Sequence, residues 1–482
     1  MKSGRTAQGV LLAKSRFSTG HAAPKWKRAL GRVMGVRREE APSSLRLEDG
    51  ARVAVVGGGP AGSFFTYFFL QMAQTVGLDV HVDVYEPRDF SIPGPQSCNM
   101  CGGVISESLV QNLAAEGIKL PPTVVQRSID SYALHLDVGS SRIVTPLQEK
   151  RIAAVHRGAG PRGIKQVEYR SFDGYLLELA VSKGARLVRG RVDDLRWEGG
   201  RPQVRTQSGL QETYDFLVVA VGINSSALKL FEREELAYKP PRSTKTYISE
   251  FCLGREIIKR YLGSSMHVFL LNIPRLEFAA LIPKGEYVTL CLLGWDIDKP
   301  LVQSFLNAPE LRQCLPPNWE SPGDFCHCGP RISLRGAVEP FGDRVVFVGD
   351  CGATRLYKDG IGAAYRTAKA AAKTAIFEGI SAQDFRRYYH PTCRAIGNDN
   401  RIGELIFAVT RLIQKSRFAR RGVLRMVTGE QQKKGSDRRM STVLWDIFTG
   451  STPYKDIFRR TLYPSFLGRF LWNIAFGNRP LT

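Results

Sequence analysis

The sequence lacks any apolar run long enough to cross a membrane. The longest candidate, Leu462 to Gly477, has 16 residues and is broken by Arg469, short of the ~18–20 that a spanning helix needs. Cysteine is too sparse for a disulfide framework: there are nine in 482 residues, an odd number. Met1 to Gly20 also lacks the apolar core of about 7–15 residues that marks a secretory leader. Reduced thiols in a cytoplasmic setting are therefore expected. Gly 47 and Pro 26 are ordinary counts, which excludes collagen-like and low-complexity architecture. With 43% apolar and 23% charged residues, wholesale disorder is excluded as well.

Acidic residues are the real shortage. Lys+Arg 68 against Asp+Glu 45 leaves +23. From Met1 to Arg38 there are ten basic residues and no acid, and from Arg401 to Thr482 sixteen basic and five acidic. The middle is nearly balanced, so the charge belongs to appendages. Residues 1–50 read as a basic disordered tail, a composition that also suits an organellar transit peptide. A basic balance favours anionic partners, but no RNA- or DNA-binding motif is present and nucleic acid is not expected as a partner.

What is present begins at Arg52. Val53-Ala54-Val55-Val56 reads as a buried strand, Gly57-Gly58-Gly59-Pro60-Ala61-Gly62 as a turn, and Ser63–Gln74 as an apolar helix. His81–Tyr85 is a second strand, closed by Glu86. This is a βαβ unit with the G-x-G-x-x-G spacing of dinucleotide binding. Gly57 permits the tight turn, Gly59 lets backbone N–H groups approach a pyrophosphate, and Gly62 lets helix and strand pack closely. The diphosphate would lie on the positive helix end and Glu86 would accept from ribose hydroxyls. A second element points the same way. Arg344–Val348 is a strand ending in Gly349-Asp350-Cys351-Gly352-Ala353, and a small-residue helix runs from Gly360 through Ala375. NAD enzymes do not usually need this second element, whereas hydroxylase-like flavin folds do. The cofactor therefore reads as FAD, with NADPH or NADH as the electron donor to be tested.

The order of motifs resembles the FAD-dependent hydroxylase and geranylgeranyl reductase superfamily. Four stretches carry the likeness: Val53–Glu86, Cys101-Gly102-Gly103-Val104-Ile105-Ser106, Tyr169–Leu177 and Gly349–Ala375. The resemblance implies a Rossmann-like FAD-binding domain over 51–130, 165–230 and 329–395. Interleaved with it is an antiparallel-sheet substrate domain over 131–164 and 231–328, and a basic, aromatic-rich helical module follows at 396–482. It further implies that Cys101, Gly102 and Gly103 line the reacting face of the flavin, that Arg170 sits near the adenosine or pyrophosphate, and that Gly349, Asp350 and Gly360 hold the ribityl–pyrophosphate region. Two departures stand out. Val221 replaces the Asp that hydroxylases carry at this strand end, which argues against the hydroxylase route. Tyr357-Lys358-Asp359-Gly360 replaces the usual proline-containing turn, and Tyr357, Lys358 and Asp359 become candidate proton donors.

Cys98 and Cys101 admit three readings: a thiol working at the flavin, a small residue allowing close packing, or a metal or iron–sulfur site completed by Cys326 and Cys328. No metal site is assigned. Beyond His390 the chain turns basic and aromatic, with Trp445, Phe448, Tyr454, Phe458, Tyr463, Phe466, Phe470, Trp472 and Phe476 interleaved with Arg459, Arg460 and Arg469. Such a segment suits an anionic membrane surface without crossing it, or a helical cap whose aromatics are core. The expected activity is an FAD-dependent, geranylgeranyl-reductase-like oxidoreductase, cytoplasmic and peripheral on the membrane. It would pass hydride between flavin and an isoprenoid- or quinone-like molecule. The alternatives are a flavin monooxygenase, a flavoprotein passing electrons from a donor protein to membrane quinone, and a non-catalytic FAD-binding scaffold.

Overall fold

The computed structural model describes residues 45–475 apart from 99–100, 145–151, 163–169, 233–235, 321–325 and 433–437. Most of the expected basic tail, Tyr169 of the third motif and Phe476 lie outside the described residues.

The first sheet is built around strand Ala51–Val56, flanked by Phe216–Val219 and Val80–Tyr85. The sheet runs on to Val345–Phe347 on one side and to Arg186–Val188 on the other. These five strands are parallel, and the short edge strand Phe341–Gly342 is antiparallel. All four residues of Phe216–Val219 and all three of Val345–Phe347 are buried, the near-continuous apolar reading of a sheet covered on both faces. Helices Pro60–Val76 and Gly360–Phe377 cover one face. They meet through Tyr365, which stands edge-on to Phe64 and Phe68 at 5.7 and 5.5 Å. Ala368, Ala371 and Ala372 on the second helix are buried, and their small side chains permit the close approach.

The second sheet has seven strands in the order Cys326–Cys328, Tyr247–Cys252, Tyr287–Gly294, Leu276–Lys284, Ser265–Phe269, Ser131–Leu136, Gly139–Val144. Its pairings are antiparallel with one exception: Ser265–Phe269 runs parallel to Ser131–Leu136. The antiparallel sheet that the resemblance implied is corrected there. The two strands lie 128 residues apart in sequence (131 to 265 at their starts, less the six residues of the first), so alternation alone carried no direction. One face of this sheet packs against Phe305, Leu301 and Ile258 of flanking helices.

The C-terminal residues form helices His390–Lys415, Arg417–Gln432, Arg439–Thr449, Tyr454–Thr461 and Pro464–Ala475. Phe407, Leu424, Val427, Trp445, Phe448, Tyr454 and Phe466 are buried against the other face of the seven-stranded sheet. Trp445 stands edge-on to Tyr132 of that sheet at 5.0 Å. Among the described residues no helix is long and apolar enough to cross a membrane.

Candidate functional site

A cavity of about 580 Å³ opens where the glycine turn faces the second sheet. Its floor is the turn itself. Gly57 adopts φ +109°, and a Cβ there would lie 2.6 Å from the Ala220 carbonyl oxygen, so only glycine makes the turn. A Cβ on Gly62 would lie 1.8 Å from the Gly57 carbonyl oxygen, which shows how tightly the helix seats on its strand. Gly59 differs: its Cβ would meet nothing nearer than 3.9 Å, and the residue lines the cavity with Pro60 and Ala61. Helix Pro60–Val76 starts at Gly59 with no side-chain cap. Its first N–H groups are thus left for a ligand, at the positive end of the helix.

Glu86 is buried at the end of strand Val80–Tyr85 and lines the same cavity. Its carboxylate accepts from Gly58 N at 2.9 Å and from Arg88 N and Nε at 3.0 Å each. Asp350, on the short turn Gly349–Cys351 after strand Val345–Phe347, lines the opposite wall. The residue is exposed at that wall. The surrounding protein raises its carboxyl above the ordinary pKa by desolvation, opposed by neighbouring Thr354 and the Arg157 charge. Gly349 and Gly62 lie behind the lining. Gly349 adopts φ +69°, and a Cβ there would come within 2.6 Å of the Ala61 Cβ.

Cys101, Gly102 and Gly103 line the cavity from the sheet side, with Cys98 beside them. Gly103 has φ +65°, and a Cβ would fall 2.0 Å from the Val155 carbonyl oxygen and 2.8 Å from Lys284 Nζ. Cys101 Sγ accepts from Gly103 N at 3.4 Å and faces the Arg157 guanidinium. Behind this turn lies a buried charge network. Lys284 Nζ donates to Glu250 Oε1 at 3.1 Å, Thr289 Oγ1 donates to the same oxygen at 2.6 Å, and His156 Nδ1 stands 3.6 Å from it. Burial alone would raise Glu250, but Lys284, His156 and Thr289 outweigh it and hold the carboxyl well below the usual range.

Arg170 lies outside the cavity lining. It is half-exposed and paired with Glu178 at the surface. Arg157 is one of five arginines in the lining, with Arg88, Arg191, Arg331 and Arg355, and its Nε and Nη2 bind both oxygens of the fully buried Asp173 at 2.6 and 2.8 Å. Arg157 follows strand Ile152–Val155. Asp173 is held in the first turn of helix Phe172–Ser182, which Ser171 caps through Gly174 N at 2.9 Å. The Arg-Ser-Phe-Asp motif thus supplies the acid of the pair but not the arginine. Arg157, Lys284 and Glu250 carry no local sequence pattern, and distant strands bring them together. Cys98, Cys101, Cys326 and Cys328 form no group whose ligand atoms all lie within 4.8 Å of one another among the described residues. Burial pushes the Cys328 thiol up to about 12, aided by Cys98 and Cys326 nearby.

The third wall is the turn Tyr357-Lys358-Asp359 at the start of helix Gly360–Phe377. Tyr357 and Asp359 both sit at positive φ, +62° and +55°, an uncommon conformation for non-glycine residues that marks a site held by its surroundings. Asp359 accepts from Ser106 Oγ at 2.9 Å and pairs with Arg355 and Arg366 at 3.5 and 3.2 Å. Lys358 lines the cavity, and burial holds its ammonium well below the ordinary lysine value. The remaining wall is apolar: Met266, Val268, Phe278, Ala280, Ile282 and Leu293 of the second sheet, closed by Phe448 and Thr449 of the helical module.

Fold and site together define a class: a mixed α/β protein with a dinucleotide-type glycine turn opening onto a second, substrate-sized sheet. No protein-family model matches the chain, and no curated protein matches it. Solved structures do. The chain is similar to the halogenase PltM at 11% identity, with 90% of this chain and 93% of that one covered and a TM-score of 0.55. It is similar to the flavin-dependent brominase Bmp2 at 14% identity, with 89% and 94% covered and a TM-score of 0.52. HpxO of Klebsiella pneumoniae, complexed with FAD and uric acid, matches at 14% identity, with 89% and 99% covered and a TM-score of 0.51. At such identities the likeness is one of fold, shared with FAD-dependent enzymes.

Proposed function

We propose that the chain is an FAD-dependent oxidoreductase acting on a hydrophobic substrate. The observation that carries this is the division of one cavity. An uncapped helix N-terminus, Gly59 and Glu86 lie at one end, and a wall of Met266, Val268, Phe278 and Ile282 at the other. The residues present fit FAD. The N–H groups after Gly59 suit a pyrophosphate, and the space at Gly59 is what backbone approach requires. A carboxylate offers about four lone-pair sites and Glu86 already accepts from Gly58 N and from Arg88 N, Nε and Nη2, so a ribose hydroxyl would take the place of the long 3.5 Å Arg88 Nη2 contact. Asp350 suits the polyol, and the solved neighbour HpxO holds FAD.

When bound, FAD would supply the hydride chemistry. The chain binds and orients it, and Phe448 with the apolar sheet face excludes water from the reacting end. Arg157, fixed by Asp173, holds a positive charge beside Cys101. Lys358, its ammonium destabilised by burial and its Nζ 3.4 Å from the Asp446 carbonyl oxygen, is the candidate proton carrier on this wall. The substrate class we favour is isoprenoid- or quinone-like, on the Cys101-Gly102-Gly103 motif and the apolar wall. Anaerobic reduction of the reconstituted protein by NADPH, NADH and ferredoxin in turn, followed by reoxidation with polyprenyl substrates or quinones, tests this. A second reading, oxygen-dependent oxidation, draws on the halogenase and brominase among the fold neighbours. NADPH-dependent oxygen consumption with no reoxidation by polyprenyl compounds or quinones would select it.

We infer also that the protein associates with an anionic membrane surface through its last described helix. Support comes from Leu462, Tyr463, Leu467, Leu471 and Trp472, all exposed, on a basic C-terminal module. Cosedimentation with anionic vesicles at low salt is the test.

A further inference from the structure

On the face of the seven-stranded sheet turned away from the cavity, His135, His267 and Cys314 converge. They are 8%, 7% and 3% exposed. His135 Nε2 lies 2.9 Å from His267 Nδ1, and Cys314 Sγ lies 3.6 and 3.4 Å from those two nitrogens. Strand alternation explains the placement: Met266 and Val268 face the cavity, so His267 between them faces the opposite way. His135 comes from the parallel neighbour strand, where it pairs with Phe269 in register and stacks on its ring at 4.7 Å. Cys314 follows the short helix Pro309–Arg312. Among the described residues this is the one group of three or more such ligands with all ligand atoms within 4.8 Å.

We propose that His135, His267 and Cys314 bind a thiophilic metal ion with a filled d shell, copper(I) or zinc(II). The geometry is that of a coordination polyhedron. With metal–nitrogen bonds of about 2.0–2.1 Å and a metal–sulfur bond of about 2.3 Å, tetrahedral edges are about 3.3 Å between nitrogens and about 3.6 Å between nitrogen and sulfur. Both nitrogen–sulfur separations are already there, and the nitrogens need part by only a few tenths of an ångström. The outer shell is in place too. His267 Nε2 stands 3.3 Å from the Leu262 carbonyl oxygen. Donation there fixes the tautomer and leaves the Nδ1 lone pair for the ion, the usual second contact of a ligating imidazole.

A thiolate and two imidazoles do not suit calcium or magnesium, which take oxygen ligands. Binding replaces the Cys314 S–H bond by a sulfur–metal bond, and the proton leaves to solvent. No redox change is involved. Charge balance ranks the two ions: copper(I) with one thiolate is neutral, whereas zinc(II) leaves one positive charge and needs a water as fourth ligand. The competing arrangement is a hydrogen-bonded triad, with His135 Nε2–H donating to His267 Nδ1 and Cys314 S–H to the Glu310 carbonyl at 3.4 Å.

The test uses the full-length protein, reduced, stripped with chelator, then loaded with zinc(II) or anaerobically with copper(I) and desalted. Elemental analysis should find about one ion per chain of one metal or the other, falling at least tenfold in Cys314→Ser and His267→Gln. Cobalt(II) loading should give intense ligand-field absorption that Cys314→Ser loses. Should the variants fail to fold by circular dichroism, the wild-type melting temperature decides, and it should drop on chelation and return on readdition. A wild type that retains less than about a tenth of an ion per chain overturns the proposal. So does loading that Cys314→Ser, folded, leaves unchanged, or a melting temperature indifferent to chelation and readdition.

Discussion

Gly103 and Cys101 divide the work at the turn beside the second sheet. Gly103 is structural. Its positive φ and the 2.0 Å from a notional Cβ to the Val155 carbonyl oxygen mean that Gly103→Ala should cost about 1–3 kcal/mol, read as a lowered denaturant midpoint. Cys101 is not held that way. Its sulfur lines the cavity and faces Arg157, so Cys101→Ala should leave the melting temperature within about 2 °C while changing the rate of flavin reoxidation by substrate. A variant that unfolds instead would assign Cys101 to packing. Glu250 carries a pH prediction. Its folded pKa lies below the ordinary 4.5, so the unfolded chain takes up the proton first. The stability it gives is complete above pH 4.5 and is lost as pH falls below. Glu250→Gln, whatever its cost at pH 7, should flatten that acid loss. An unchanged slope of melting temperature against pH between about 5 and 3 would remove Glu250 from the account.

Among elements, the glycine turn after strand Ala51–Val56 was legible because its spacing is local, although only Gly62 has its steric reason within a few residues: Gly57 is fixed by the distant Ala220 carbonyl, and Gly59 meets nothing nearer than 3.9 Å. The Arg157–Asp173 pair was not, because nothing in the sequence around Arg157 separates it from other arginines. Only the approach of strand Ile152–Val155 to helix Phe172–Ser182 selects it over the surface residue Arg170. The C-terminal helices show the same limit. Composition groups Trp445, Tyr454 and Trp472 together, whereas packing separates them. Trp445 and Tyr454 are 2% and 0% exposed and Trp472 is 65% exposed, so membrane attachment cannot use the first two. Helix Pro464–Ala475 keeps the attachment idea on its own, and the sharper variant is Leu471→Glu with Trp472→Ser rather than a truncation through core residues. The double variant should lose at least half of its binding to anionic vesicles and keep its fold. Equal cosedimentation of variant and wild type would refute attachment through this helix. Salt should release part of the wild type, since screening acts on the arginines and not on the apolar face.

At the scale of the whole molecule, the chain brings two unlike surfaces to one cavity: a polar, glycine-lined floor and an apolar sheet face, closed by Phe448 of the helical module. The chain's alternation between the two sheets was readable from motif order, but the lining of the shared cavity was not, since it depends on register between strands far apart in sequence. The central claim is that this floor takes FAD, and the most direct measurement is the flavin content of purified full-length protein after reconstitution, compared with Gly59→Leu. Gly59 is the discriminating position because a Cβ there meets nothing nearer than 3.9 Å. A Cβ there overlaps nothing, its nearest neighbours being Arg157 Nη2 and Asp173 Oδ2, and circular dichroism checks that the longer side chain leaves the fold intact. The account predicts a yellow wild type with about one FAD per chain and a folded Gly59→Leu with little or none. A colourless wild type that takes up no FAD, or a Gly59→Leu variant that binds it as well as the wild type, would contradict it.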